Sequence, residues 1–259
     1  MNLFVFGLGF SARHFAERER ARFNAVRATV TEPERARSLA AETGFTLRAF
    51  GPEADDPRIA EDLADTDVLL ISAPPGRDGD TVLARYRDTI AKSRIGWIGY
   101  LSTIGVYGDQ GGAWIDETTP ATPKSARSRD RLAVENAWLA LGVETGKAVQ
   151  VFRLSGIYGP GRNPIVKLRD GRTQRIVKPG QVFNRIHVAD IAATLAASIE
   201  RPRGGRGLQR HRRRAGPAAD GDRARSTAHR AAPAAGSRFR DRRPQPDGAQ
   251  LLRREQAGA

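Results

Sequence analysis

The chain contains no cysteine, so disulfides, thiolate metal centres and cysteine nucleophiles are excluded. Histidine is scarce, with four residues in 259 and no pair at metal-ligand spacing, so no zinc site is expected. No apolar run approaches the ~18 residues a transmembrane helix needs. The opening MNLFVFGLGF is too short to be a secretory signal and runs directly into a glycine motif. The expectation is a cytoplasmic protein without membrane partners. Aromatic residues make up only 7% of the chain, while the formal net charge is +14. That charge is unevenly placed. Residues 206–259 carry 14 Arg against 5 acids, a net of +9, and the remaining 29 basic and 24 acidic residues give +5. Nucleic-acid binding calls for a basic patch with interleaved aromatics. Residues 1–205 show none, which argues against a nucleic-acid partner for that part.

Strand-like and helix-like segments alternate through residues 1–205. Asn2–Phe6 reads as a short apolar strand and Ser11–Arg22 as a helix. Asn24–Val30, Thr46–Phe50, Asp67–Ser72, Arg94–Ser102 and Val149–Leu154 read as strands; DVLLIS at 67–72 has the continuous apolar character of a buried parallel strand. Helices are predicted over Pro33–Glu42, Thr81–Lys92, Lys124–Leu141 and Val188–Ile199. Val134, Ala137, Trp138 and Leu141 fall on one face of the third of these. The alternation predicts an α/β fold with a doubly wound parallel sheet.

Gly7-Leu8-Gly9-Phe10-Ser11-Ala12 is a G-x-G-x-x-A at the end of the first strand. Gly7 permits a tight turn, Gly9 lets the backbone approach a pyrophosphate, and Ala12 lets the following helix pack on the sheet. The helix start offers free N–H groups and a positive dipole end to phosphates. Gly7, Gly9, Phe10, Ser11 and Ala12 are therefore candidate cofactor-binding residues. A lone motif of this kind is weak, but a strand before it, a helix after it and further βα units supply the confirming context. Glu32 is the candidate acid for the adenosine ribose, or else a solvated first-turn glutamate. Arg35 and Arg37 lie near enough to meet a 2′-phosphate, so NAD and NADP both stay open. Ser72, Ala73 and Pro74 follow an apolar strand, at the edge where ligands dock.

Four later segments carry a resemblance. They are LSTIGVYG at 101–108, DETTPATP at 116–123, RLSGIYGPG at 153–161 and RIHVADI at 185–191. In this order, after the glycine loop, the chain from Asn2 to about Pro202 resembles the extended short-chain dehydrogenase/reductases, the NAD-dependent epimerase/dehydratases, and is similar above all to their atypical branch. The resemblance implies a Rossmann-type sheet, a bound NAD or NADP, and an oxidoreductase or epimerase acting on a sugar-nucleotide-like metabolite. It implies Thr103 at the position of a substrate-facing hydroxyl, with a strand-end threonine satisfied by backbone as the alternative. The family's catalytic Tyr and Lys would fall at Arg127 and Arg131. Arginine stays protonated near neutral pH, so Arg127 cannot shuttle a proton. Arg131 can still hold a ribose or pyrophosphate by charge. Tyr107 is a substitute acid/base, or else a packing residue. His187 reads as structural at a helix start. The candidate catalytic set is thus Thr103, Tyr107 and Arg131. Loss of the Tyr-Lys pair leaves a non-catalytic, redox-sensing dinucleotide-binding protein as the second reading.

Residues 206–259 lack Val, Ile, Met, Trp and Tyr, and are expected to be largely disordered. The domain expectation is 1–205 for the dinucleotide-binding domain with part of the substrate region, and 206–259 for an Arg/Ala/Pro/Gly-rich tail. Two readings of the tail stand: an arm for nucleic acid or an acidic partner, and a segment read out of frame. Codons for Leu208–Ala215 exist that, with one base dropped, read Tyr-Asn-Val-Thr-Asp-Asp-Glu-Pro. That resembles a strand of the family, and it predicts a reduced or incomplete C-terminal substrate region.

Overall fold

The computed structural model describes residues 1–76, 79–163, 166, 169, 171 and 183–202. The expected tail at 206–259 lies outside the described residues.

Each element follows from local chemistry. Strand β1 (Asn2–Phe6) is apolar throughout, and its side chains alternate between two cores. Leu3 and Val5 enter one, and Phe4 and Phe6 the other. Strand β5 (Val68–Ile71) does the same with Val68 and Leu70 against Leu69 and Ile71. A strand buried on both faces is what a continuous apolar run encodes. Between them come α1 (Phe10–Arg18), β2 (Ala25–Val30), α2 (Pro33–Thr43), β3 (Thr46–Gly51), the two-residue β4 (Ala54–Asp55) and α3 (Ile59–Ala64). After β5 follow α4 (Thr81–Lys92), β6 (Trp97–Thr103), α5 (Ala126–Thr145) and β7 (Ala148–Leu154). Short strands β8 (Gly156–Tyr158) and β9 (Arg185–His187) form a separate parallel pair, and α6 (Val188–Glu200) closes the described part.

The main sheet has the order β4-β3-β2-β1-β5-β6-β7, parallel except for the β3–β4 pair. This is the doubly wound Rossmann arrangement, whose order reverses beside β1. Helices α1, α2 and α6 cover one face, with Phe15, Leu39 and Leu195 in that core. Helices α3, α4 and α5 cover the other, with Leu63, Ile90 and Trp138. Beside the main sheet the described residues form the small parallel β8–β9 pair.

Several boundaries differ from expectation. The first helix stops at Arg18, and Arg20–Arg22 form one 3₁₀ turn. The chain must descend there to start β2 beside β1, and the tighter turn buries Phe23 edge-on against Phe15 at 6.1 Å. Strand β6 starts at Trp97 rather than Arg94, because Arg94 leaves the sheet to pair with Asp65 and Asp67. Helix α5 starts at Ala126, since Ser125 caps it by accepting from the Ser128 N–H at 3.1 Å. Ala137 is exposed instead of sharing the buried face; it lines a shallow groove between α4 and α5 with Leu83 and Ala133. Glu135 is buried in its place at 1% exposure. Helix α3 and strands β4, β8 and β9 were not expected.

Candidate functional site

The parallel strands β1, β2, β5 and β6 all end at the same edge of the sheet, and the candidate residues gather there. Gly7 adopts φ +85°. A Cβ at this position would sit 2.8 Å from the Ala73 backbone N, so the turn out of β1 must pass hard against the end of β5. Ser72 and Ala73 donate their N–H groups to the Phe6 carbonyl at 2.8 and 2.9 Å, which fixes that approach. Thr29, at the end of β2, secures the loop from the other side. Its hydroxyl accepts from the Gly7 N–H at 3.0 Å and its carbonyl from the Leu8 N–H at 2.8 Å. A threonine inside a strand gave no sequence signal of this role.

Gly9 caps α1 with no side-chain hydrogen bond, and a Cβ built on it meets nothing within 4 Å. The space before the helix is open, so a side chain there would occupy the volume a phosphate group needs. The backbone N–H groups of Phe10, Ser11 and Ala12 form the first turn, where no intrahelical acceptor exists. Ser11 and Ala12 are buried, at 6% and 0% exposure, so it is their backbone that faces the loop while Ala12 packs beneath it. These features fit a dinucleotide pyrophosphate. Glu32 is the exposed N-cap residue of α2, just past the end of β2, and its side chain makes no cap hydrogen bond. Arg37 pairs with Glu34. Pro74 is exposed beyond β5.

The other half of the edge is built by β6 and α5. The Thr103 hydroxyl oxygen accepts from the Gly105 N–H at 3.1 Å, so its own O–H stays available to donate. Ser128, one residue beyond the expected tyrosine position, packs against the same Gly105. Arg127 is exposed on the first turn of α5. Arg131 reaches inward, donating to the Leu101 carbonyl at 2.9 Å and the Tyr100 hydroxyl at 3.3 Å. Its guanidinium lies 5.7 Å over the Tyr100 ring. Tyr100 is held up to about 12 by burial, with the Arg131 charge working against that rise.

Tyr107 is buried, with the Arg153 guanidinium 4.7 Å from its ring centre. Arg153 in turn is held by the buried Glu135 carboxylate, donating from Nη2 at 2.8 Å and Nε at 3.1 Å. Ser102 donates to the same carboxylate at 2.5 Å. This network ties β6, β7 and α5 together below the site. Its sequence signal was a lone acid beside the apolar stripe of α5, one turn after Arg131. His187 caps α6, its Nδ1 accepting from the Ala189 N–H at 3.3 Å, with Tyr158 edge-on at 5.0 Å. That is the structural role the sequence suggested.

Among the described residues no group of three or more His, Asp or Glu could hold a metal ion, and no helix is long and apolar enough to cross a membrane. No family model matches the chain. A conserved protein of unknown function from Silicibacter pomeroyi DSS is similar, with 43% identity, a TM-score of 0.69, and coverage of 79% of this chain and 70% of that one. UDP-glucuronic acid 4-epimerase from Bacillus cereus, solved with UDP-glucuronic acid and NAD, has the same fold at 18% identity and a TM-score of 0.63, covering 78% of this chain and 74% of that one. Protein YeeZ of Escherichia coli K12 is 31% identical over 149 residues, 55% of this chain and 52% of its own length. The chain thus spans about half the length of the curated relatives it matches.

Proposed function

We propose that this chain, which belongs to one family with the Silicibacter pomeroyi protein and has the fold of the NAD-dependent epimerases and dehydratases, binds a nicotinamide dinucleotide along its strand edge. The observation that carries the reading is the glycine loop: Gly7 forced against Ala73, and Gly9 opening onto empty space before a helix with unsatisfied N–H groups. The N–H groups of Phe10, Ser11 and Ala12 hold the pyrophosphate. Glu32 accepts from the adenosine ribose, and the backbone of Ser72, Ala73 and Pro74 lines that half of the cleft. Arg131 faces the nicotinamide ribose from the lysine position of the family. A nicotinamide ring, when bound, supplies hydride transfer. The Thr103 hydroxyl donates to an oxygen of a hydroxylated metabolite of the sugar-nucleotide class, and Tyr107 shapes that end of the cleft. Residues 1–205 constitute the binding domain.

A second reading, dinucleotide binding without turnover, is favoured by one observation. The groups nearest the family's proton-transfer position are ill suited to moving a proton. Arg131 is engaged with β6, Tyr107 is buried beneath Arg153, and Arg127 is a permanent cation. Fluorescence titration of the purified chain with NADH and NADPH tests binding; no saturation up to millimolar cofactor would refute it. Transfer of an isotopically labelled hydride from a carbinol carbon of sugar nucleotides to added NAD or NADP, leaving a ketone and releasing the hydroxyl proton, separates the readings, since transfer supports the enzyme and binding without transfer supports the sensor.

A further inference from the structure

The turn that follows β8 lies against the glycine loop, although about 150 residues separate them in sequence. Gly159 and Arg162 exchange backbone hydrogen bonds at 2.9 and 3.0 Å, closing a tight turn. That turn is seated on two elements at once. A Cβ on Gly159 would come within 2.7 Å of Val188 Cγ1 and 3.2 Å of Phe10 Cζ, so the backbone rests directly on the start of α6 and on the first residue of α1. The seat is firm, because α1 and α6 are themselves joined: Arg18 donates to the Ala189 carbonyl at 3.3 Å, and both helices share one core. From this turn Arg162 extends its guanidinium over the Phe10 ring, 5.3 Å from the centroid. Arg162 is exposed, and among the described residues it makes no ion pair with a carboxylate.

A guanidinium held over an aromatic ring without a carboxylate partner keeps N–H donors for another acceptor, and those donors form a planar fork that suits phosphate oxygens. Phe10 is the residue whose backbone opens the helix at the proposed pyrophosphate position. The cation and the helix start therefore approach the same volume from two segments distant in sequence. We propose that Arg162 is a phosphate clamp: carried on the Gly159–Arg162 turn and steadied by Phe10, it donates to the pyrophosphate of the bound dinucleotide opposite the α1 amides. The inference rests on the cofactor reading above and adds to it a residue from outside the glycine loop. The clamp couples cofactor occupancy to the turn that follows β8.

The test is NADH titration of the full chain carrying Arg162→Lys, Arg162→Ala or Arg162→Glu, with thermal melts recorded for each. Affinity is expected to fall in the order of charge, wild type above Lys, Lys above Ala, Ala above Glu, with about a tenfold loss for Ala. Melting points should stay with the wild type, since the side chain is exposed. Phe10→Leu should lose several-fold while retaining Arg162. Affinities within twofold of wild type for both Ala and Glu would overturn the clamp and leave the cofactor reading intact. Equal losses in all three variants would also overturn it, because a damaged turn would not follow charge. Failure of the wild type to bind NADH or NADPH would overturn the cofactor reading, and the clamp with it.

Discussion

Replacing Glu135 by Gln removes a single negative charge from the base of the site, and the structure sets the size of the effect. The carboxylate is 1% exposed and receives three donors: Ser102 Oγ at 2.5 Å and Arg153 Nη2 and Nε at 2.8 and 3.1 Å. Two unit charges roughly 4 Å apart interact by about 4 kcal/mol at an effective dielectric near 20. Gln keeps the shape and one acceptor oxygen, which preserves about 1 kcal/mol of hydrogen bonding. Arg153 retains 21% side-chain exposure, so water compensates part of its lost partner. The expected net loss is about 3 kcal/mol, at the lower end of what breaking a buried pair costs. Urea unfolding should show a midpoint lowered by about 1 M, for a slope near 3 kcal/mol per M. A double-mutant cycle with Arg153→Gln should recover a coupling of about 2 kcal/mol. A midpoint within about 0.3 M of wild type, or no coupling, would show that Glu135 and Arg153 are not the pair that joins β6, β7 and α5. The melting point of the E135Q chain should fall by roughly 6–12 °C on the same grounds.

Gly9→Val should leave the fold intact and abolish NADH binding, because its side chain enters open space where the phosphate would lie; circular dichroism with NADH titration checks both halves. Gly7→Val should instead destabilise the protein by several kcal/mol, through a strained φ and a clash with the Ala73 backbone, readable as a lower urea midpoint. Tyr100 is raised to about 12 by burial, so its contribution to stability is complete below pH 10 and is lost as pH rises through 12. In an alkaline absorbance titration its ionisation should coincide with unfolding, and a Tyr100 signal that titrates below pH 10 in the folded chain would refute the reading. Truncation after Gly205 should leave NADH affinity unchanged within twofold, which tests residues 1–205 as the binding domain.

Much of the fold was legible because its strands are short, apolar and regularly spaced by helices. Helix α4 matched its expected span at both ends, since Asp80 caps it and Ser93 stops it within the chain's own local chemistry. The failures were tertiary. Ile59–Ala64 is too short to show a helical period, yet Ile59 and Leu63 are fully buried. Strands β8 and β9 are three residues each and pair across a long separation, which no local pattern announces. The glycine loop could be read because backbone geometry restricts the residues allowed in it. Thr29 and Arg162 could not, because each acts on a partner far away in sequence, and Glu135 left only the trace of a lone acid beside the apolar stripe of α5. Arg127 and Arg131 stood out by spacing alone, while the inward reach of Arg131 to the Leu101 carbonyl depends on how α5 packs against β6.

The packing of α1 against α6 has a consequence for how the protein is made. Phe15 and Ala16 of α1 share their core with Ile191 and Leu195, and Arg22 reaches Glu200. On the ribosome, at roughly 5–20 residues per second, the first helix waits on the order of ten seconds for its cover to be synthesised. The main sheet of a nascent chain therefore lacks one of its covering helices until residue 200 has emerged, and during that interval the apolar flank of α1 stays open to solvent.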